Sequence, residues 1–247
     1  MFKRLKEKLF NNRVMINYFA KYSGMVSFSQ YGEDKVLDFA LKILINKGVV
    51  KNINYLDIGG CLPYSSSNSY LLYAQGYNGL VIEADPLLAK SFKKARPKDV
   101  VLNLGIIPED ENKDLPFYYA DGVCGSFDKD NVLTAISKNK LNSECKSINI
   151  PTSTVNEILE KYFTNEPLIL LSIDVEGLDE KIIKSIDFNR FSPYFFCVET
   201  AELSSPNFLG HKGSEVIEFL KSKGYVVYAD TYINTIFIRK DILEKMY

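Results

Sequence analysis

The sequence predicts an α/β domain: a doubly wound, mostly parallel sheet with helices on both faces, closed by an antiparallel hairpin. Three observations carry this. From residue 35 onward, segments of helical periodicity alternate with short apolar runs, the pattern of repeated strand–helix units. The runs YLDI and LILLSI are apolar almost throughout, as strands covered on both faces must be. The last stretch, GYVVYADTYINTIFIRK, holds two strands and a short turn with no helix between them, which makes an antiparallel pair.

Taken in order, KVLDFALKILINKG repeats apolar residues at helical spacing and stops at Gly48. NINYLDIGG is the first buried strand, and SNSYLLYAQG a helix ended by Gly76. NGLVIEADP is the second strand, PLLAKSFKKARP a helix with proline in its first turn, and DVVLNLGII the third strand. The rhythm breaks over residues 108–150, where PFYYA and KSINIP read as strands around a polar segment, DKDNVLTAISKNKLNSEC. It resumes with the helix TVNEILEKY, the strand LILLSIDVEG, the helix LDEKIIKSI and the strand PYFFCVET. GSEVIEFLKSKG is the last helix before the hairpin. Residues 1–26 read as a separate helical extension and residues 27–247 as one domain, with no linker inside it. In the extension Phe2, Leu5 and Leu9 share a face and Lys3, Arg4, Lys6 and Lys8 lie elsewhere. Such a helix docks on the domain, pairs two copies into a homodimer, or lies on a membrane surface.

Composition removes several classes of function. A formal net charge of −1 leaves no general electrostatic footprint for nucleic acid. The longest apolar runs are strand-length, so no integral membrane segment is expected, and the basic N-terminus lacks the apolar core of a secretory signal. The four cysteines, Cys61, Cys124, Cys145 and Cys197, are scattered; reduced thiols and a cytoplasmic location are the simpler expectation. With a single histidine and no cysteine pair, no metal site is expected.

The loop YLDIGGCLPYSSSN carries the first chemical signal. In open α/β sheets ligands sit at the carboxyl ends of the strands, and this loop follows the first. It lacks the Lys and Ser/Thr of a phosphate loop, and Gly59 and Gly60 are adjacent where a dinucleotide fingerprint needs G-x-G-x-x-G. Backbone amides are therefore not arranged around a pyrophosphate. Glu83, ending the second strand in VIEADP, is placed to accept hydrogen bonds from both hydroxyls of a ribose, with Ala84 beside it. Asp57 could face a cationic amine. A nucleoside with a free ribose, an amino-acid tail and no phosphate fits, and S-adenosylmethionine is that molecule. The rival reading is an NAD-dependent sugar reductase or epimerase, against which the missing third glycine and missing Tyr-x-x-x-Lys pair count. A non-catalytic nucleoside-binding module is the other.

At these residues the chain resembles the FkbM-type family of S-adenosylmethionine-dependent O-methyltransferases. The match runs from about residue 27 to residue 202 and rests on SFSQYGEDKVL, on YLDIGGCLPYSSSNSYLLYAQGYNGLVIEADP, on LSIDVEGLDEKIIKSIDF and on PYFFCVET. That family often has Gly-Ala where this chain has Gly59-Gly60. The resemblance implies a class I methyltransferase (Rossmann-like) fold with seven strands, the last antiparallel. It also implies methyl transfer to a hydroxyl, commonly of a sugar, and the expected acceptor is a small-molecule or nucleotide-linked sugar for a bacterial surface polysaccharide.

The candidate site residues follow. Gln30 and Tyr31 are placed by the resemblance over the cofactor, while Ser29 and Glu33 beside them read as a capping box. Ser67 and Asn68 begin a helix, as caps or as partners of the methionine carboxylate. Asp121 and Ser126, in ADGVCGSFD, lie where a loop could reach an adenine. Asp174 and Glu176 end the fourth strand and are the first choices for base or acceptor orientation. Behind them stand Glu199, at the end of the fifth, and His211, the only histidine, on a glycine-flanked loop. Asp174 and Glu199 offer oxygen ligands to a divalent cation, but two acids on separate strands are too few to expect one.

Overall fold

The structure, a computed structural model, describes residues 26–109, 114–121, 123–175, 177–201 and 214–247. The N-terminal extension up to residue 25 lies outside the described residues. The chain then runs through α1 (Glu33–Asn46), β1 (Tyr55–Ile58), α2 (Tyr70–Ala74), β2 (Leu80–Ile82), α3 (Pro86–Ala95), β3 (Val100–Leu102) and β4 (Gly105–Ile107). There follow β5 (Leu115–Ala120), β6 (Val123–Ser126), α4 (Lys129–Lys138), β7 (Lys146–Ile150), β8 (Thr152–Thr154) and α5 (Val155–Phe163). The last third holds β9 (Leu170–Ile173), α6 (Asp179–Ser185), β10 (Phe195–Glu199), α7 (Ser214–Ser222), β11 (Tyr225–Asp230), β12 (Asn234–Arg239) and α8 (Lys240–Glu244).

Seven strands form the central sheet in the order β11-β12-β10-β9-β1-β2-β3. All neighbours from β10 to β3 pair in parallel, and β12 runs antiparallel to both β10 and β11. This is the expected seven-stranded, mostly parallel sheet with its closing antiparallel hairpin. Because β1 and β9 are completely buried, their residues alternate between two apolar layers. Tyr55, Leu170, Phe195, Ile236 and Ile238 pack with α1, α2 and α8 on one face. Leu56, Ile58, Leu171, Ile173, Val198 and Phe237 pack with α5, α6 and α7 on the other. Burial of such layers on both faces is the main force holding the sheet together.

Two expectations change. The third strand is not continuous: β3 belongs to the central sheet, while β4 leaves it and pairs in parallel with β8. Asn103, between them, donates through Nδ2 to the carbonyls of Glu83 (2.9 Å) and Ala84 (2.8 Å), and so ties the break to the end of β2. The segment between β4 and β8 builds a small antiparallel sheet, β6-β5-β7. Within the stretch read only as polar lies α4, whose first turn is capped by the Asp128 carboxylate accepting from the Asp130 N–H at 2.9 Å.

Candidate functional site

Strand order reverses between β1 and β9, and in sheets of this kind that is where a crevice opens at the carboxyl ends. Register places Ile82, Ile58, Ile173 and Val198 side by side across β2, β1, β9 and β10. The next residues along, Glu83, Gly59, Asp174 and Glu199, therefore form one row across the top of four parallel strands. Glu199 in turn faces Asn234 of β12.

A cleft over this row is lined by Gly59, Cys61, Glu83, Ala84 and Asp174. Its far wall is apolar: Leu88 and Leu104, with Phe117 and Phe127 from the inserted sheet. The two rings meet edge to face at 5.2 Å. They reach this position because two glycines stand under them. A Cβ on Gly105 would overlap the ring of Phe127, and one on Gly125 the ring of Phe117. Ser126 lines the cleft, whereas Asp121 sits exposed on the turn at the tip of β5, its N–H held by the Ser143 hydroxyl. Asp121 is not among the residues lining the cleft, whereas Phe117 and Phe127, which the sequence did not single out, are.

Glu83 is almost fully buried, and its two oxygens each accept one backbone N–H, from Cys61 and from Asp85, both at 2.8 Å. A carboxylate has about four acceptor positions, so each oxygen keeps one for a donor in the cleft. Burial pushes its carboxyl up to about 7, against the pull of those two N–H groups.

Beneath the row lies a buried polar network that the sequence reading missed. Arg96, completely buried, donates to Asp99 (2.7 Å), Ser67 (3.3 Å), Ser69 (2.9 Å) and the Tyr55 hydroxyl (3.1 Å). Its guanidinium also lies over the rings of Tyr55, Tyr73 and Phe92. Burial disfavours the charged guanidinium, yet Tyr55, Asp99 and Asp57 together raise its pKa. Asp57 is enclosed here rather than turned to a ligand: Ser69 donates to its Oδ2, and burial raises its carboxyl. Ser67 is also spent internally, accepting from Arg96 and from the Tyr70 N–H. Asn68 donates through Nδ2 to the Ser172 hydroxyl at 3.1 Å. The side chains of Asp57 and Ser67 are therefore foundation for the loop above them. An arginine just after an ordinary amphipathic helix gave no signal of this role.

The leading motif is bound to the hairpin. Asp34 accepts from Ser27 Oγ (2.7 Å), the Phe28 N–H (2.7 Å) and Ser29 Oγ (3.0 Å), folding that turn around itself. The capping-box reading of Ser29 and Glu33 is replaced: the N-cap of α1 is Gly32, with no side-chain cap, and Ser29 accepts from the Gly32 N–H at 3.1 Å. Glu33 accepts from Thr231 (2.5 Å), Asn234 Nδ2 (3.0 Å) and the Tyr31 N–H (2.9 Å). Burial alone would raise its carboxyl, but those bonds outweigh it and lower the pKa. Gln30 accepts from Asn234 Nδ2 at 3.2 Å, and Tyr31 is 60% exposed. With Nδ2 shared between two carbonyl-type acceptors, the orientation of the Asn234 amide is settled. Its Oδ1, buried beside Glu199, has no hydrogen-bond partner among the described residues.

Asp174 lines the cleft, its N–H bonded to the Ile58 carbonyl at 3.0 Å. The turn after it is held by Asp179, which accepts from the N–H groups of Val175 (3.0 Å) and Gly177 (3.2 Å). Gly177 adopts φ +109°, and a Cβ there would also press on the Asn131 amide of α4. Glu176 and His211 lie outside the described residues. No group of three or more potential metal-binding residues occurs among the described ones.

The cleft suits a nucleoside: an apolar wall, a carboxylate with two acceptor positions to spare, and a glycine turn leading to further carboxylates. The family profile described as "Methyltransferase FkbM domain" matches residues 57–227. No curated protein matches the sequence. Among solved structures, a TehB-like SAM-dependent methyltransferase from Corynebacterium glutamicum aligns at 12% identity over 85% of this chain and 88% of its own, with a TM-score of 0.40. A putative O-methyltransferase from Klebsiella pneumoniae aligns at 10% identity over 94% and 89%, with a TM-score of 0.41. A putative caffeoyl-CoA O-methyltransferase from Staphylococcus aureus aligns at 12% identity over 96% and 97%, with a TM-score of 0.42.

Proposed function

Since the chain belongs to the FkbM methyltransferase family and uses S-adenosylmethionine as its cofactor, we propose that it methylates a hydroxyl oxygen of a sugar. The observation that carries this reading is the row itself: two carboxylates, Glu83 and Asp174, line one cleft on either side of a glycine turn, and we read the first as the ribose acceptor and the second as facing the methyl acceptor. S-adenosylmethionine, when bound, supplies a methyl group on a sulfonium sulfur that is already strongly electrophilic.

The chain's own residues do the rest. Glu83 accepts from the ribose hydroxyls, while Leu88, Leu104, Phe117 and Phe127 enclose the adenine and exclude water. Asp174 takes the proton of the acceptor hydroxyl, which is a poor nucleophile until that proton leaves. Glu199, next along the same row, adds a further hydrogen-bond acceptor, suited to a ligand rich in O–H donors. Alignment of the hydroxyl is the larger part of the task.

The acceptor we propose is a nucleotide-linked sugar destined for a bacterial surface polysaccharide, an assignment supported by the family resemblance. Among the described residues no helix is long and apolar enough to cross a membrane, and we place the reaction in the cytoplasm, where such sugars are made. The test begins with calorimetric titration by S-adenosylhomocysteine and, separately, by NAD. Transfer of labelled methyl from S-adenosylmethionine to a panel of nucleotide sugars follows, with the position of the label read by NMR. Label on an oxygen of the sugar is expected; a protein that binds NAD alone, or methylates only nitrogen, would overturn the reading.

A further inference from the structure

On the side of the glycine loop away from the adenine slot lies a hollow of about 540 Å³, within the roughly 300–1,000 Å³ range of small-molecule sites. Hydroxyls dominate its wall: Ser27 and Ser29 from the leading motif, Tyr64, Ser65 and Ser66 from the loop after β1, and Ser91 from α3. Phe28, Leu62 and Pro63 supply an apolar strip, of which Leu62 is 41% exposed. None of the described residues lining it carries a charge. By contrast, the hollow at the opposite end of the sheet is edged by Arg190 and Arg239.

We infer that this hollow is a saccharide subsite that holds a neutral sugar ring next to the reacting one; the inference rests on the sugar reading above. Ser27 and Ser29 spend their protons on Asp34, so the hydroxyls offered to a ligand are those of the loop and of α3, Ser65, Ser66 and Ser91; such side chains both donate and accept, and match a neutral polyol without demanding a charge from it. The apolar strip suits the C–H face of a pyranose. An uncharged wall gives neither an anion nor a cation a partner, so phosphate, carboxylate and ammonium groups are poor occupants.

Position ties the hollow to the reaction. The loop that forms it begins at Cys61, which lines the cofactor cleft, and the next residues, Leu62 to Ser66, line the hollow. Gln30, on the opposite lip, accepts from Asn234, which faces Glu199 on the rim. The loop is bracketed by two non-glycine residues in the left-handed region, Cys61 at φ 50° and Ser66 at φ 53°. Such conformations gather at ligand clamps and persist only where the surrounding fold imposes them. A ligand lying across Gln30 would therefore span the hollow and the acceptor rim.

The test uses the full chain saturated with S-adenosylhomocysteine and saturation-transfer NMR with methyl glycosides of glucose, mannose and N-acetylglucosamine. Glucuronic acid and glucosamine methyl glycosides serve as charged comparators. At least one neutral glycoside should bind better than either charged one. Filling the hollow from exposed positions, with Ser91→Trp or Ser65→Trp, should weaken that binding about ten-fold, the loss expected when a central contact is blocked. S-adenosylhomocysteine affinity should stay within about two-fold, as for a separate site. The inference is overturned if no neutral glycoside binds, if a charged comparator binds better, or if both tryptophan variants bind the glycoside as the parent does. Failure of the hydroxyl-transfer reading shows differently: a glycoside that binds, is displaced by the tryptophans and never acquires the methyl label.

Discussion

Gly59 rests against the backbone carbonyl of Asp174, so closely that a Cβ on Gly59 would overlap that oxygen. The contact joins the cofactor loop of β1 to the acceptor end of β9 at the point where strand order reverses. It explains why glycine is needed there twice over, since the residue also adopts φ +81°.

Gly59→Ala should destabilise the protein by about 2–4 kcal/mol, combining left-handed strain with overpacking. In a domain of this size that lowers the thermal midpoint by roughly 5–15 °C, and S-adenosylhomocysteine binding should be lost with it. An alanine variant with the parent's melting curve and affinity would show that β1 and β9 do not meet this way.

Glu83 makes cofactor binding depend on pH. Ribose hydroxyls donate to the carboxylate, so binding favours the ionised form and expels a proton where the free group sits at about 7. Affinity for S-adenosylhomocysteine should fall as pH drops through that value, approaching about ten-fold per unit well below it. Calorimetry near neutrality in two buffers of different ionisation enthalpy should report proton release. The same group sets a trend in the free protein. Its folded pKa lies above the ordinary glutamate value of 4.5, so its contribution to stability is largest below 4.5 and declines as pH rises to about 7. Affinity that is flat from pH 8 to pH 6 would remove Glu83 from the ribose site.

Arg96 should be among the least replaceable residues of the chain. Arg96→Met leaves the carboxylates of Asp57 and Asp99 buried without their cation, a loss of about 3–5 kcal/mol. Arg96→Lys should rescue little, because one ammonium cannot reach Asp99, Ser67, Ser69 and Tyr55 in a single plane. Urea unfolding decides: a lysine variant as stable as the parent contradicts the fork geometry.

The two described acids on the acceptor rim can be separated by turnover. With S-adenosylhomocysteine affinity largely kept, Asp174→Asn should lower kcat by about 10²–10⁴, the usual worth of a general base. Glu199→Gln should act mainly on the KM of the acceptor. If neither substitution moves kcat, the base is another group, and Glu176 and His211 become the next variants to make.

Asp179 positions the turn that follows Asp174 without touching the cleft. Asp179→Ala should free the N–H groups of Val175 and Gly177 and cost about 1–3 kcal/mol. Its distinguishing mark is a fall in kcat that Asp179→Asn partly restores, since the amide oxygen can still accept one of the two bonds. A variant that loses stability but keeps kcat in the folded fraction assigns Asp179 to folding alone.

Local pattern was enough for the alternation of helices and strands, the closing hairpin, the glycine turn and the carboxylate ending β2. Each depends on residues adjacent in sequence: an apolar run, a stop at glycine or proline, an acid at a strand end. Where such segments pair in simple order, as β1, β2 and β3 do, the sheet follows from them. The departure of β4 to pair with β8 was invisible, because LNLGII reads as a strand whichever partner it takes. Pairing likewise decided which polar side chains look outward. Asp57 and Ser67 have the residue types of a binding loop, but the network around Arg96, brought beneath them by the packing of α3, takes up hydrogen bonds of both: Arg96 donates to Ser67, and Ser69 donates to Asp57. Phe117 and Phe127 became cleft walls only when the inserted sheet folded over Gly105. The sequence by itself determined the class of sheet and the nucleoside chemistry at its edge, because both are written in short-range pattern. Tertiary structure alone decided the division between groups that face the ligand and groups that hold the frame, because burial and hydrogen-bond partners come from residues distant in the chain.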